Sequence, residues 1–331
     1  MFFLFSIAAG QKVVHLALEV SETKKQAYAQ GTLDNLQGIK DRYWKFCIES
    51  RIQPFPASHV HLAFFGQYLA DAGLKPSTIK NYLSGVRTLH RMWNLPEPGF
   101  NAGLDLFLRG LDRRYATRPA RAKPILPSLL LCMVKLLDLN NAFQATLHCL
   151  LIFAFFGLLR KSNLTPNTCK QFDPKKQLLR GDIFCFDNKI LVSIKWSKTI
   201  QCAERDYFIP MHGIPSSRLC PVSSFLNMKR VNPQLLSSPA FCNLDGSPIT
   251  YRQYNLAIKL LVQGCRLNPH GYSTHSLRRG GATWAAMCGV DTKLIKSLGD
   301  WKSDCFHDYI DFPVTARSRA FHLMAYPLTH R

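Results

Sequence analysis

Acidic residues are scarce in this chain. Its 331 residues carry 21 Asp and Glu against 42 Lys and Arg, a formal net charge of +21. The summed field of such a chain repels cationic partners and draws in polyanions, with nucleic acid the leading candidate and an anionic membrane surface the second. No apolar run is long enough to cross a bilayer: the longest, Cys149 to Leu159, falls well short of the ~20 residues a spanning helix needs and reads as a buried core helix. The eleven cysteines contain no C-x-x-C pair and no Cys–His cluster at zinc spacing, which excludes a zinc finger or ribbon and fits reduced thiols inside a cell. Met1 to Ala9 is apolar but has neither a basic leader nor a small-residue cleavage site, so it does not read as a secretory signal. Residues 1–29 are expected to be an extension without fixed structure. Also missing are a glycine-rich nucleotide loop, a dispersed carboxylate set that would hold two magnesium ions, internal repeats and low-complexity tracts. No cofactor and no metal are expected.

What is present is helical periodicity in two blocks. From Thr32, a plausible N-cap, the apolar residues Leu33, Leu36, Ile39, Tyr43 and Phe46 recur at three- and four-residue steps. A second helical pattern spans 58–74, and a third from Ser77 aims Ile79, Tyr82, Leu83, Val86 and Leu89 at a core. A short fourth pattern covers 104–111. On the third, Lys80, Arg87 and Arg91 stack on one face. Residues 113–123 are basic, polar and bracketed by prolines, and read as a linker between a helical unit at 30–112 and a second unit at 124–331. Between Lys75 and Lys123 there are ten Lys or Arg against three acids. Such a stripe can be an ordinary solvated face. Its continuity with the linker favours a clamp on a phosphate backbone, carried by Lys80, Arg87, Arg91, Arg113, Arg114, Arg118, Arg121 and Lys123.

The second unit begins with helices from about Pro127 and then changes period. Residues 182–186 and 190–196, rich in Ile, Val and Phe and split by the turn Asp187-Asn188-Lys189, predict paired strands, with a third strand at 205–209. Helical patterns resume at Pro221 and Arg252. The expected fold class is mainly α, with one small antiparallel sheet.

The sharpest local feature is Ser273-Thr274-His275-Ser276-Leu277-Arg278-Arg279-Gly280-Gly281. With Ser273 or Thr274 as cap, His275 and Arg278 share the first turn of a helix and can converge on an anion. Taken alone, an H-x-x-R is more often a capped helix with solvated cations. Downstream, Leu298-Gly299-Asp300-Trp301-Lys302-Ser303-Asp304 leads into Tyr309-Ile310, read as a turn and then a helix carrying the tyrosine.

Four features occur together and in order: Arg160 after an apolar helix and before Ser162 and Leu164, Lys198 in Trp196-Ser197-Lys198-Thr199, the H-x-x-R-R-G pair, and Tyr309 behind Leu298-Gly299. In this combination the chain resembles the tyrosine recombinases, the phage-integrase family. The form of the Gly299 to Ile310 stretch resembles recombinases of eukaryotic mobile elements. Tyr43-Trp44-Lys45-Phe46-Cys47 and Pro76 to Leu83 resemble the family's helical, SAM-like core-binding domain. The resemblance implies duplex DNA as partner, a homo-tetramer on paired sites, a nuclear location and a catalytic domain at 124–331. It also implies roles: Tyr309 as nucleophile, Arg160 and Arg278 as phosphate clamps, His275 as a phosphate donor or proton carrier, and Lys198 as general acid with Lys195 as its rival. Two positions depart from the family's pattern. Asp300 stands where a His, a Trp or a basic residue is usual, with Trp301 next to it as a substitute. Asn163 stands where an acidic residue often follows the first arginine. A domesticated DNA-binding protein without cleavage is the alternative, and a relaxing enzyme of type IB topoisomerase chemistry the third.

Overall fold

The computed structural model describes residues 2–99, 101–115, 121–197, 207–312 and 318, with side chains from residue 12 onward. The chain forms two compact units, Met1–Pro119 and Ala120–Arg331.

The first unit is all helical: α1 (Phe2–Gln26), α2 (Gln30–Ser50), α3 (His59–Asp71), α4 (Pro76–Met92) and α5 (Ala102–Arg114). Its core is the set of apolar stripes read from the sequence, with Ile39, Tyr43, Phe46, Leu62, Phe65, Ile79, Leu83, Val86 and Leu104 all buried. Local chemistry sets the helix starts. Ser58 accepts the His61 amide at 3.2 Å to cap α3, and Asn101 accepts the Leu104 amide at 2.9 Å to cap α5. Pro76 occupies the first turn of α4, where no amide donor is needed. Thr32 is not a cap, since α2 already begins at Gln30.

Two boundaries differ from expectation. Residues 2–26 form α1 rather than an unstructured extension. The segment has no proline and is rich in Ala, Leu, Val, Lys and Gln, and Lys24 Nζ ties its last turn to Asn94 Oδ1 at 2.8 Å. Helix α5 runs through Arg113 and Arg114, which the sequence reading placed in the linker; buried Leu111 and two cations in the last turn hold it that far.

The second unit is built around α7 (Ala142–Phe156), which follows α6 (Pro127–Lys135) and is buried on every side from Ala145 to Phe155, as its unbroken apolar composition requires. After the four-residue α8 (Lys161–Leu164) come β1 (Ile183–Phe186), β2 (Lys189–Ile194) and β3 (Tyr207–His212), an antiparallel sheet in the order β1-β2-β3. Val192 pairs with Ile183 on one side and Ile209 on the other, so alternate residues of all three strands face the core. The third strand, expected at 205–209, runs on to His212 because all six residues of β2 pair with Tyr207–His212; residues 205 and 206 lie outside the described residues. As an edge strand β3 tolerates Pro210, which lacks a ladder donor. Then follow α9 (Pro221–Val231), α10 (Tyr251–Gly264), α11 (His275–Met287), α12 (Thr292–Leu298) and a 3-10 turn, Asp304–Tyr309, where an α-helix was expected.

Among the described residues no helix is long and apolar enough to cross a membrane.

Candidate active site

Helix α11 carries the site, and its glycines explain how it packs. A Cβ on Gly280 would run into the Ile125 carbonyl, and one on Gly281 into the Phe155 carbonyl and Leu158. The H-x-x-R-R-G-G run is therefore a helix pressed backbone to backbone against α7 and the chain entering α6, with its first turn at the mouth of that contact. Thr274 makes no side-chain cap; Ser273 Oγ instead accepts the His275 amide at 3.3 Å.

From that first turn Arg278, only 2% exposed, reaches inward. Its Nη2 donates to the Gly299 carbonyl at 2.6 Å, its Nη1 to the Leu158 carbonyl, and its guanidinium lies 4.0 Å from the Trp301 ring centre. Buried Nε has no partner. Burial, reinforced by the charge of Arg160, pulls the Arg278 pKa down to about 9, which leaves it a cation at neutral pH.

Arg160 sits at the junction of α7 and α8, just past a left-handed turn at Leu158 (φ +47). Its Nη2 donates to the Asp300 carbonyl at 2.7 Å and its Nη1 to Asp300 Oδ2 at 3.2 Å. Both arginines thus grip the one turn at 299–300. Asp300 itself is buried, left-handed (φ +50), and accepts from Ser197 Oγ, which lies three residues past the end of β2. Asn163 ties the same strand end to α8 by donating to the Trp196 carbonyl at 2.6 Å.

His275 Nε2 lies 3.3 Å from the Tyr309 hydroxyl. Burial pulls the imidazole below its ordinary value, and the charges of Arg278, Lys161, Arg160 and Arg279 push it the same way, so it is neutral at pH 7. The Tyr309 ring stands against Trp301, with centroids 5.1 Å apart. Buried Thr283, two turns after His275, donates to the Tyr309 carbonyl at 3.2 Å and accepts the Asp311 amide at 3.0 Å. Leu158, Ala282, Ile295, Trp301 and Phe306 form the small apolar cluster beneath.

The sequence itself matches no protein-family model and no curated protein. Solved structures do match. The XerH site-specific recombinase bound to palindromic difH substrate is 16% identical, with 83% of this chain and 74% of that chain covered at a TM-score of 0.57. The Tn1549 transposon integrase in complex with transposon right end DNA is 16% identical over 88% and 93%, also at 0.57. A lambda integrase dimer bound to a COC' core site is 15% identical over 88% and 75%, at 0.56. The chain has the tyrosine recombinase fold.

Within this recombinase fold, four of the five residues singled out from the sequence, Arg160, His275, Arg278 and Tyr309, come together in one place. Lys198 lies outside the described residues. Its rival Lys195 is engaged elsewhere, 2.7 Å from Asp182 Oδ2. Trp301 stacks on Arg278 and folds back over Gly299, where a Cβ would strike its ring.

The basic stripe is less uniform than its sequence suggests. On α4, Lys80 pairs with Asp112 at 2.5 Å, while Glu97 holds both Arg87 and, at 2.9 Å, Arg91. Arg113 and Arg114 are exposed at the end of α5. Arg118 lies outside the described residues. In the second unit Arg121 pairs with Asp308 at 2.7 Å, and Lys123 lies over Tyr272 beside a cleft of about 430 Å³.

Sequence reasoning missed Thr283, Ser197 and the carbonyls of Leu158 and Gly299. Carbonyls carry no residue signature. The signal for close packing was in plain view, in Gly280-Gly281 and in Gly299 two residues before Trp301.

Proposed function

We propose that this protein breaks and rejoins duplex DNA through a covalent bond to Tyr309, as a site-specific recombinase or the integrase of a mobile element. The observation that carries the reading is the convergence of Arg160, His275 and Arg278 on Tyr309 from distant parts of the chain, with Tyr309 at 3.3 Å from a neutral imidazole. It is supported by the fold shared with XerH and with a transposon integrase, whose structures hold DNA.

The Tyr309 oxygen attacks the phosphorus, and its proton passes to His275 Nε2. The bond from phosphorus to the 5′ oxygen breaks, and the phosphoryl group stays on the protein as a 3′-phosphotyrosine. Arg160 and Arg278 hold the non-bridging oxygens, where charge accumulates in the transition state. Lys198 gives a proton to the departing 5′ oxygen. Attack by a different 5′ hydroxyl reverses the steps and exchanges strands. Because the ester conserves the bond energy, neither ATP nor another cofactor is needed. Cations of α4, the end of α5 and the segment 118–123 bind the DNA backbone, four copies assemble on two sites, and a mobile-element enzyme of this kind works in the nucleus.

A second reading has one observation in its favour: Asp300 already occupies Arg160, as in a protein that keeps the fold and binds DNA without cutting it. One experiment separates the two. Nicked suicide duplexes from the DNA flanking the gene are incubated with wild type and Tyr309→Phe. The expected result is a protein bound to a 3′ phosphate, absent from Tyr309→Phe although that variant still binds. Tight binding at low salt with no adduct on any bound duplex establishes the non-cleaving reading. Relaxation of supercoils without paired sites marks a topoisomerase instead.

A further inference from the structure

A carboxylate at position 300 would repel a phosphate, yet here it is firmly held. Its Oδ2 accepts from Arg160 Nη1 and from Ser197 Oγ, its carbonyl accepts from Arg160 Nη2, and the residue is 5% exposed. Arg160 comes from the α7–α8 junction and Ser197 from the segment three residues past the end of β2. Both bond the same carboxylate oxygen. The residue also keeps a left-handed backbone, which a non-glycine residue adopts at a cost and which Asp and Asn adopt most readily of the rest.

We infer that Asp300 is an internal stand-in for the DNA phosphate: in the DNA-free protein its carboxylate occupies Arg160, and it must yield before a phosphodiester can enter. The inference rests on the phosphate-binding role proposed for Arg160. A half-buried guanidinium is stabilised by a counter-anion, and the chain supplies one that DNA replaces. The site is thereby closed to small anions and to non-cognate phosphates that bring too little binding energy to displace it. Cognate DNA brings that energy from contacts along its backbone. The residue's effect is on access to the site, since two anions cannot share one guanidinium edge without repulsion.

The test uses the full chain and inorganic phosphate as probe. Asp300→Asn keeps the left-handed backbone and an accepting oxygen but removes the charge. Thermal unfolding is followed in phosphate and in chloride of matched ionic strength. The variant is expected to unfold at lower temperature than wild type in chloride and to regain most of the loss in phosphate, whereas wild type gains no more than a second variant, Arg160→Ala. The gain should vanish in Asp300→Asn combined with Arg160→Ala. Ser197→Ala, a milder change that loosens the carboxylate without altering charge, should show a smaller gain in the same direction and serves if Asp300→Asn does not fold. On a suicide duplex, Asp300→Asn should form adduct about tenfold faster, since the phosphate no longer has to displace a charge-assisted hydrogen bond. Equal phosphate responses in wild type, Asp300→Asn and Arg160→Ala overturn the inference. Phosphate rescue without adduct in any variant leaves it standing and overturns the cleavage reading.

Discussion

Thr283 offers the most direct measure of how Tyr309, the proposed nucleophile, is held. Its hydroxyl is buried beneath the segment that carries Tyr309, donating to the Tyr309 carbonyl at 3.2 Å and accepting the Asp311 amide at 3.0 Å. Thr283→Val keeps the shape and deletes both bonds while leaving His275, Arg278 and the Gly280-Gly281 contact untouched. Each neutral hydrogen bond contributes a net ~0.5–1.5 kcal/mol, so docking of the segment should weaken by about 1–3 kcal/mol. At 1.36 kcal/mol per factor of ten this lowers the docked-to-undocked ratio by about 5- to 150-fold. Asp311 is exposed and water can replace its lost partner, so the lower end of the range applies. The assay is single-turnover adduct formation on a nicked duplex, together with amide exchange at Asp311. DNA affinity should not change, because no cation is altered. If the amide exchanges faster while the adduct rate stays within about twofold of wild type, docking of the tyrosine does not limit cleavage and the reasoning fails.

Three further expectations probe other links. Gly281→Ala drives a Cβ into the Phe155 carbonyl, which cannot retreat without moving the Leu158 carbonyl that Arg278 grips. A cost of about 1–3 kcal/mol, roughly 2–4 °C of Tm per kcal/mol in a unit of this size, should be visible by calorimetry, and an unchanged Tm would show that α11 has room to spare. Since the neutral form of His275 persists below its ordinary pKa of 6.5, the adduct rate should be flat as pH falls to 6.5 and drop only beneath it; a midpoint above 6.5 refutes the role of proton acceptor. Glu97→Gln removes the carboxylate that holds Arg87 and Arg91, and should raise DNA affinity and steepen its salt dependence by about 1–2 in log–log slope. An unaltered slope takes these α4 cations out of the DNA interface.

The two arginines also bear on how the pocket keeps its shape without DNA. Arg278 is fixed by two backbone carbonyls and an aromatic face, which do not compete with an anion, while Arg160 is fixed partly by a carboxylate, which does. On the roles proposed above, one clamp is preorganised and the other is gated.

Read along the chain, the sequence by itself determined α2 to α4, the buried α7, the pairing of β1 with β2 and the residue types of the site, but not α1 or the 3-10 turn at Asp304–Tyr309. Side chains repeat every 3.6 residues on a helix and every two on a strand, so Ile39, Tyr43 and Phe46 or Val192 and Ile194 declare their buried face locally. It also singled out Asp300, but only as a charge of the wrong sign. Whether that charge repels a phosphate or replaces one depends on Arg160, 140 positions away, and on Ser197, 103 away. The same holds for Thr283 and Tyr309, for Trp301 stacked on Arg278, and for α4 cations matched to Glu97 and Asp112. Ion pairs and buried hydrogen bonds depend on distance in space, and no period in the sequence encodes it. Only the packing of α11 against α7 and the turn at 299–300 decided which side chains would meet.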